Sequence, residues 1–254
     1  MAEPTVLADT AGAARILTLH RPQQRNALSL ELLTELAGAL ADADADDAVR
    51  GVVLTGGTEV FSAGADLAEA LQANDIAPTL RYLVRLRQIG QQIEALSKPV
   101  VAAVHGYCLT GGLELAMACD RRICAPDAQF AVTSARIGSF PGMGASYRLP
   151  RLVGRSAATD LLMTGRRITA TEASALGLVD AVLDTPVPAA RQWIGEVARA
   201  APLSVWLAKL ALADTDATGL RTETILAALA FGSADRAEGM SAVLEHRAPR
   251  FEGR

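Results

Sequence analysis

Twice in this chain an apolar β-type run passes through a glycine-bearing turn directly into a helix-like stretch. The first turn is Phe61-Ser62-Ala63-Gly64-Ala65-Asp66-Leu67, and the second is His105-Gly106-Tyr107-Cys108-Leu109-Thr110-Gly111-Gly112-Leu113-Glu114-Leu115. Small residues let the main chain come close to a ligand, so backbone N–H groups can take roles that side chains usually fill. Two such donors aimed at one oxygen make an oxyanion hole. The two turns belong to a longer alternation of strand and helix patterns, from Ile16 to about Val182, which predicts an α/β fold with parallel strands.

Within that alternation Ile16–Leu19 reads as a strand that ends at Arg21-Pro22. Leu28, Leu32, Leu36 and Leu40 recur every four residues and predict a helix with Ser29 as its N-cap. Val49–Thr55 and Pro99–Val104 read as buried strands, Leu80–Leu96 as a helix, and the second turn as leading into a helix through Ala118. Arg121–Ala125 is a further strand. The stretch Glu69–Thr79, with Asn74, Asp75 and Pro78 and no clear period, reads as a loop, either a plain surface loop or a mobile lid. Thr169-Ala170-Thr171-Glu172 is a capping box and Gly177 a helix stop. From Arg191 onward the pattern is helical only, with Trp193, Val197, Ile225, Leu229 and Val243 among small and charged residues. The expected organisation is an α/β core over residues 1–190 and a helical region over 191–254 that packs on a partner subunit.

Half of the 254 residues are hydrophobic but only 4% are aromatic, so the core is expected to consist mainly of Ala, Val and Leu. A net charge of −4 gives no field that attracts nucleic acid or an anionic membrane. Cys108, Cys119 and Cys124 have no metal-type spacing, and their odd number argues against a disulfide framework. Met1–Thr5 lacks the basic and apolar regions of a signal peptide. Val100–Val104 stops at His105, far short of a membrane span. A soluble cytoplasmic protein is expected, with neither nucleic acid nor membrane as partner. His20, His105 and His246 are scattered, and no metal site is expected from them.

The second turn carries the stronger chemistry. A helix starting at Gly111 exposes unpaired N–H groups and the positive end of its dipole, which favour a developing enolate or tetrahedral oxyanion. Glu114 lies about one turn in and can face the same pocket. A plainer reading is that the glycines allow tight strand-to-helix packing and Glu114 is a favourable first-turn acid. Gly64 frees the backbone of Ala65 to point inward, and Asp66 can cap the turn that follows. The two turns together are far more specific than either alone.

With those turns the chain resembles the enoyl-CoA hydratase/isomerase, or crotonase, superfamily over nearly its whole length. The likeness also rests on His20-Arg21-Pro22 to Arg25-Asn26-Ala27-Leu28, Lys98–Val104, Phe140-Pro141-Gly142-Met143-Gly144, Thr164-Gly165-Arg166-Arg167-Ile168 and Arg247-Ala248-Pro249-Arg250-Phe251. The resemblance implies a crotonase-like spiral of ββα units, a C-terminal helical region used in trimerisation, a homotrimer or homohexamer, and an acyl-CoA thioester substrate. Coenzyme A enters as part of that substrate, with no separate cofactor. By position, the N–H groups of Ala65 and Gly111 look like the two oxyanion donors. Ala63, Asp66, Leu67 and Ala68 lie in the stretch expected along the adenine and pantetheine, and Arg25 and Lys209 are the candidate cations for the CoA phosphates. The family often has a basic residue at the position of Ala68; it is absent here.

One departure bears on the reaction. Hydratases of this family use two glutamates; the first aligns with Glu114, whereas the spacing from Phe130 to Pro141 puts Ser134 in the second one's place. A serine hydroxyl can hydrogen-bond a water but is a poor acid or base near neutral pH. If hydration needs the missing proton carrier, the loss reaches about 10²–10⁴-fold. Hydration of a 2-enoyl-CoA in fatty acid metabolism is the expected activity. Isomerisation, decarboxylation or thioester hydrolysis on the same fold, and acyl-CoA binding without catalysis, are its alternatives.

Overall fold

The computed structural model describes residues 3–72, 76–213 and 219–253. Strand β1 (Val6–Ala11) and β2 (Ala14–Leu19) form a hairpin that leads into helix α1 (Leu30–Ala45). The chain then repeats one unit, a long strand, a short strand and a helix. The first repeat is β3 (Gly51–Thr55), β4 (Val60–Ser62), α2 (Leu67–Gln72) and α3 (Ile76–Ala95). The second is β5 (Val100–Val104), β6 (Tyr107–Leu109) and α4 (Gly111–Ala118). The third is β7 (Arg121–Cys124), β8 (Gln129–Ala131) and α5 (Ala145–Thr164), the helix being broken at Gly154. Then follow β9 (Ile168–Thr169), α6 (Ala170–Ala175), β10 (Ala181–Val182), α7 (Pro186–Val197), α8 (Pro202–Ala213), α9 (Gly219–Phe231) and α10 (Ala234–Leu244).

The repeat sorts its strands into two sheets. The long strands form one in the order β1-β2-β3-β5-β7-β10, parallel except for the β1–β2 hairpin. The short strands form the other, β4-β6-β8-β9, with only β9 antiparallel. β3 and β5 are buried at every position, as strands covered on both faces must be. One face packs on α7 through Val53, Val101, Ala190 and Ile194; the other packs on α1, α3 and α4. Each turn of this spiral leaves the loop after its short strand at one edge, where the glycine turns lie.

Several expectations hold in detail. Ser29 caps α1, its Oγ accepting from the Leu32 amide. Thr169 caps α6 through the Glu172 amide, and Gly177 sits at φ 79° just beyond it. The loop expected over Glu69–Thr79 is a correction: Glu69 belongs to α2 and Pro78 and Thr79 to α3, while Asn74 and Asp75 lie outside the described residues. Pro78 is tolerated because it stands in the first turn of α3, whose amides have no intrahelical acceptor. The boundary expected after residue 190 falls inside α7, which belongs to the core through Ala190 and Ile194. Among the described residues no helix is long and apolar enough to cross a membrane.

Candidate active site

The two glycine turns meet. Leu28 forms a parallel bridge with Ala65, its N–H donating to Gly64 and its carbonyl accepting from Asp66. The Tyr82 hydroxyl, 2.8 Å from the Leu28 carbonyl and 3.2 Å from the Asp66 amide, braces that bridge. Asp66 caps α2, its Oδ1 accepting from the Ala68 and Glu69 amides. Burial works against its ionisation, but the Arg21 guanidinium at 2.8 Å and those amides prevail and hold the carboxyl below its usual range. The pairing leaves the Ala65 N–H out of the bridge. Gly64, at φ 102°, abuts the second turn: a Cβ there would lie 3.2 Å from the Gly111 nitrogen. A Cβ on Gly111 would in turn lie 3.4 Å from the Ala65 nitrogen. The amides of Ala65 and Gly111 are thus neighbours, the second in the first turn of α4, where N–H groups lack intrahelical acceptors.

Thr110 sets up the Gly111 amide. It holds φ 46° and ψ −110°, a conformation that favours glycine and costs about 1–3 kcal/mol in other residues. Its N–H donates to Ala131, its Oγ1 lies 2.9 Å from Thr133 Oγ1, and the Thr133 amide donates to it at 3.2 Å. These bonds tie the start of α4 to the end of β8. Sequence reasoning passed over Thr110 because nothing in its spacing signals a left-handed residue.

Glu114 is 2% exposed, and its Oε1 accepts from the amides of Met143 at 2.8 Å and Ala145 at 2.9 Å. Burial pushes its carboxyl above the usual range; the amides of residues 142–145 pull the other way without cancelling the shift. Both the Met143 and Ala145 bonds fall on Oε1, and the carboxylate lines the cleft. Ser134 opens a short 3-10 turn after β8, is itself 2% exposed, and its Oγ has no partner among the described residues. Ala63, Ala65, Leu67, Thr110, Gly111, Glu114 and Ser134 line one cleft of about 640 Å³. Leu83, Leu86, Ile137 and Phe140 supply apolar wall beside Glu114.

The remaining predicted residues do not line that cleft. Ala68 is exposed and Asp66 faces Arg21. Arg25 is exposed beside the lining residue Gln24, and its carbonyl accepts from Ala63. Lys209 is a correction: it is 8% exposed, and its Nζ bonds the Ile93 and Lys98 carbonyls and lies 2.9 Å from Asp120. It anchors α8 to the core and is not available to a phosphate. Lys209→Met is expected to lower stability by about 2 kcal/mol, the worth of charged hydrogen bonds, while leaving the KM for an acyl-CoA unchanged. Thermal melts and kinetics check this together.

Two neighbouring main-chain amides and one buried carboxylate thus share a single cleft at the edge of a parallel spiral. Residues 9–254 match the family model described as enoyl-CoA hydratase/isomerase. The 2,3-dehydroadipyl-CoA hydratase of Escherichia coli K12 is 39% identical over 245 residues, 94% of this chain and 95% of that protein. A probable enoyl-CoA hydratase of Mycobacterium leprae is 37% identical over 256 residues, 98% of each. The crystal structure of an enoyl-CoA hydratase from Bacillus anthracis superposes with a TM-score of 0.92 at 36% identity, covering 98% of this chain and 100% of that one. The chain belongs to the enoyl-CoA hydratase/isomerase family.

Proposed function

We propose that this protein adds water across the double bond of a 2-enoyl-CoA. The observation that carries the reading is the single cleft that holds both neighbouring amides and the carboxylate of Glu114. The thioester oxygen sits between the N–H groups of Ala65 and Gly111, which favour the enolate that develops there. Glu114 takes a proton from water as its oxygen bonds to Cβ, and returns that proton to Cα as the enolate collapses. No further cofactor is invoked, coenzyme A being part of the substrate. Ala63 and Leu67 border the pantetheine, and the exposed Arg25, whose carbonyl accepts from the Ala63 amide, is the cation offered to the phosphates.

Ser134 stands in our reading where a second glutamate acts in related hydratases, and its free hydroxyl orients the attacking water. Ser134→Ala is then expected to lower kcat about tenfold, the worth of one hydrogen bond in the transition state, with KM little changed. The presence of one carboxylate also favours a second reading, isomerisation, in which Glu114 carries a proton between carbons. Incubation with 2-enoyl-CoAs of several lengths separates the two by product mass: a gain of water supports hydration, and an unchanged mass with a moved double bond supports isomerisation. Loss of CO₂ or release of free CoA would point to the decarboxylase or hydrolase chemistry instead.

Exposed Leu229, Phe231, Met240, Val243 and Leu244 on α9 and α10 support self-association as a homotrimer or homohexamer. The three cysteines are buried free thiols, in keeping with a reducing compartment such as the cytoplasm.

A further inference from the structure

A half-buried guanidinium lies behind the peptides that hold Glu114. Arg148, in the first turns of α5, keeps only 11% of its side chain exposed. Its Nε donates to Glu94 Oε1 of α3 at 2.6 Å, and its Nη1 donates to the Met143 carbonyl. That carbonyl belongs to the Met143–Gly144 peptide, inside the same turn whose Met143 and Ala145 amides grip Glu114 Oε1. Two glycines make room for the arrangement. Gly144 stands at φ 114° with its missing Cβ facing the guanidinium, and a Cβ on Gly90 would come within 3.3 Å of Arg148 Nη2 and of Met143 Cγ. The ion pair therefore links α3, the Pro141–Ala145 turn and α5.

We propose that Arg148 is a positioning residue for proton transfer: held by Glu94, it fixes the Met143–Gly144 peptide so that the amides on either side grip Glu114 Oε1 and leave Oε2 for the proton. It reaches neither substrate nor carboxylate. The inference rests on the reading of Glu114 as the proton carrier. On the elements packed against Glu114 the buried titratable groups are Tyr82 of α3, Cys108 of β6, Cys119 just beyond α4 and Asp66 before α2; Arg81, Arg85, Arg87 and Glu94 of α3 and Tyr147, Arg151, Arg155 and Asp160 of α5 are exposed or half-buried, and none of these groups is hydrogen-bonded to the Glu114 carboxylate. The hydrogen bonds given to Glu114 all come from main-chain amides. Burial already raises the Glu114 carboxyl, and these amides are what oppose it. Letting the turn relax weakens that opposition and raises the carboxyl further. Since Glu114 must be ionised to accept the proton of water, the acidic limb of the kcat profile moves to higher pH.

The test is the pH profile of 2-enoyl-CoA hydration, from pH 5 to 9, for wild type, Arg148→Met, Arg148→Lys and Glu94→Gln. Arg148→Met should move the acidic limb upward and lower the plateau kcat about tenfold, with KM within about threefold. Arg148→Lys should recover part of both effects, and Glu94→Gln should fall between Arg148→Met and wild type. Because losing the packed stem of Arg148 can unfold the protein, Glu94→Gln, at a side chain that is 40% exposed, decides the matter if Arg148→Met fails to fold. Folded variants with wild-type limb and kcat, or a change confined to KM, overturn the inference. If Glu114→Gln itself leaves turnover intact, it is the reading of Glu114 that fails. If Glu114→Gln is inactive and the Arg148 and Glu94 variants are normal, only the role of Arg148 falls.

Discussion

Glu114→Gln should lower kcat for hydration by about 10²–10⁴-fold, the usual worth of a positioned acid–base group, and raise the melting temperature at the same time. The first effect follows because the amide cannot take the proton of water. Its carbonyl can still accept from the Met143 and Ala145 amides at the place of Oε1, so the cleft and acyl-CoA binding should survive. The second follows from the direction of the carboxyl shift. Burial raises the folded-state value above the unfolded one. Between those two values the native protein holds a proton that the unfolded chain has released, so stability falls as pH rises through that window and the loss persists above it. Gln carries no charge and escapes that cost. The variant should therefore melt above wild type at pH 8, with the gap narrowing toward pH 4, below the unfolded value. Melting curves at both pH values, with turnover on a short 2-enoyl-CoA, check both halves. Turnover within a few-fold of wild type would remove Glu114 from the mechanism, and a gap that does not depend on pH would remove the account of its burial.

How far the sequence reaches is clear from particular elements. α1 is legible because Leu32, Leu36 and Leu40 and one serine cap encode it, Leu28 falling before the cap in the bridge to Ala65, and β3 and β5 because strands buried on both faces are continuous apolar runs. β4, β6 and β8 are three residues long, too short for any period to show, so the second sheet is invisible although the glycine turns hang from it. β1 hides for another reason: only Val6 of its six residues is buried, and no alternation marks it. In the candidate site, the meeting of the two glycine turns is legible because small residues must stand where two backbones come this close. The long side chains are not. Lys209 and Arg148 reach the core through contacts with residues 111 and 54 positions away, and a basic residue in a helical pattern reads as surface charge until those partners are known.

Gly112→Ala tests whether the two glycine turns work as one object, because it adds a methyl group behind the cleft where the turns are pressed together. The added Cβ would lie 2.6 Å from the Ser62 carbonyl oxygen and 2.7 Å from Ser62 Cβ. Ser62 is fully buried, its Oγ donating to the Asn26 carbonyl at 2.7 Å and accepting from Gly64, so it has nowhere to go. The gain in helix propensity, about 1 kcal/mol, is set against overpacking of a fixed backbone, which costs about 1–3 kcal/mol. The clash should win, so the variant should melt lower. The strain then has to separate α4 from the Ser62–Asp66 turn, and each carries one amide of the proposed anion hole. A displacement near 1 Å is enough for about 10²-fold in rate, so kcat should fall even in the folded fraction. Gly195→Ala is the matched control, because it adds the same methyl group within α7, where a Cβ meets nothing within 4 Å; there the helix gain stands alone and the melt should rise slightly with unchanged turnover. If Gly112→Ala instead behaves like Gly195→Ala, then the two turns are not pressed together at Ser62, and the neighbouring amides of Ala65 and Gly111 lose the contact that fixes them as a pair.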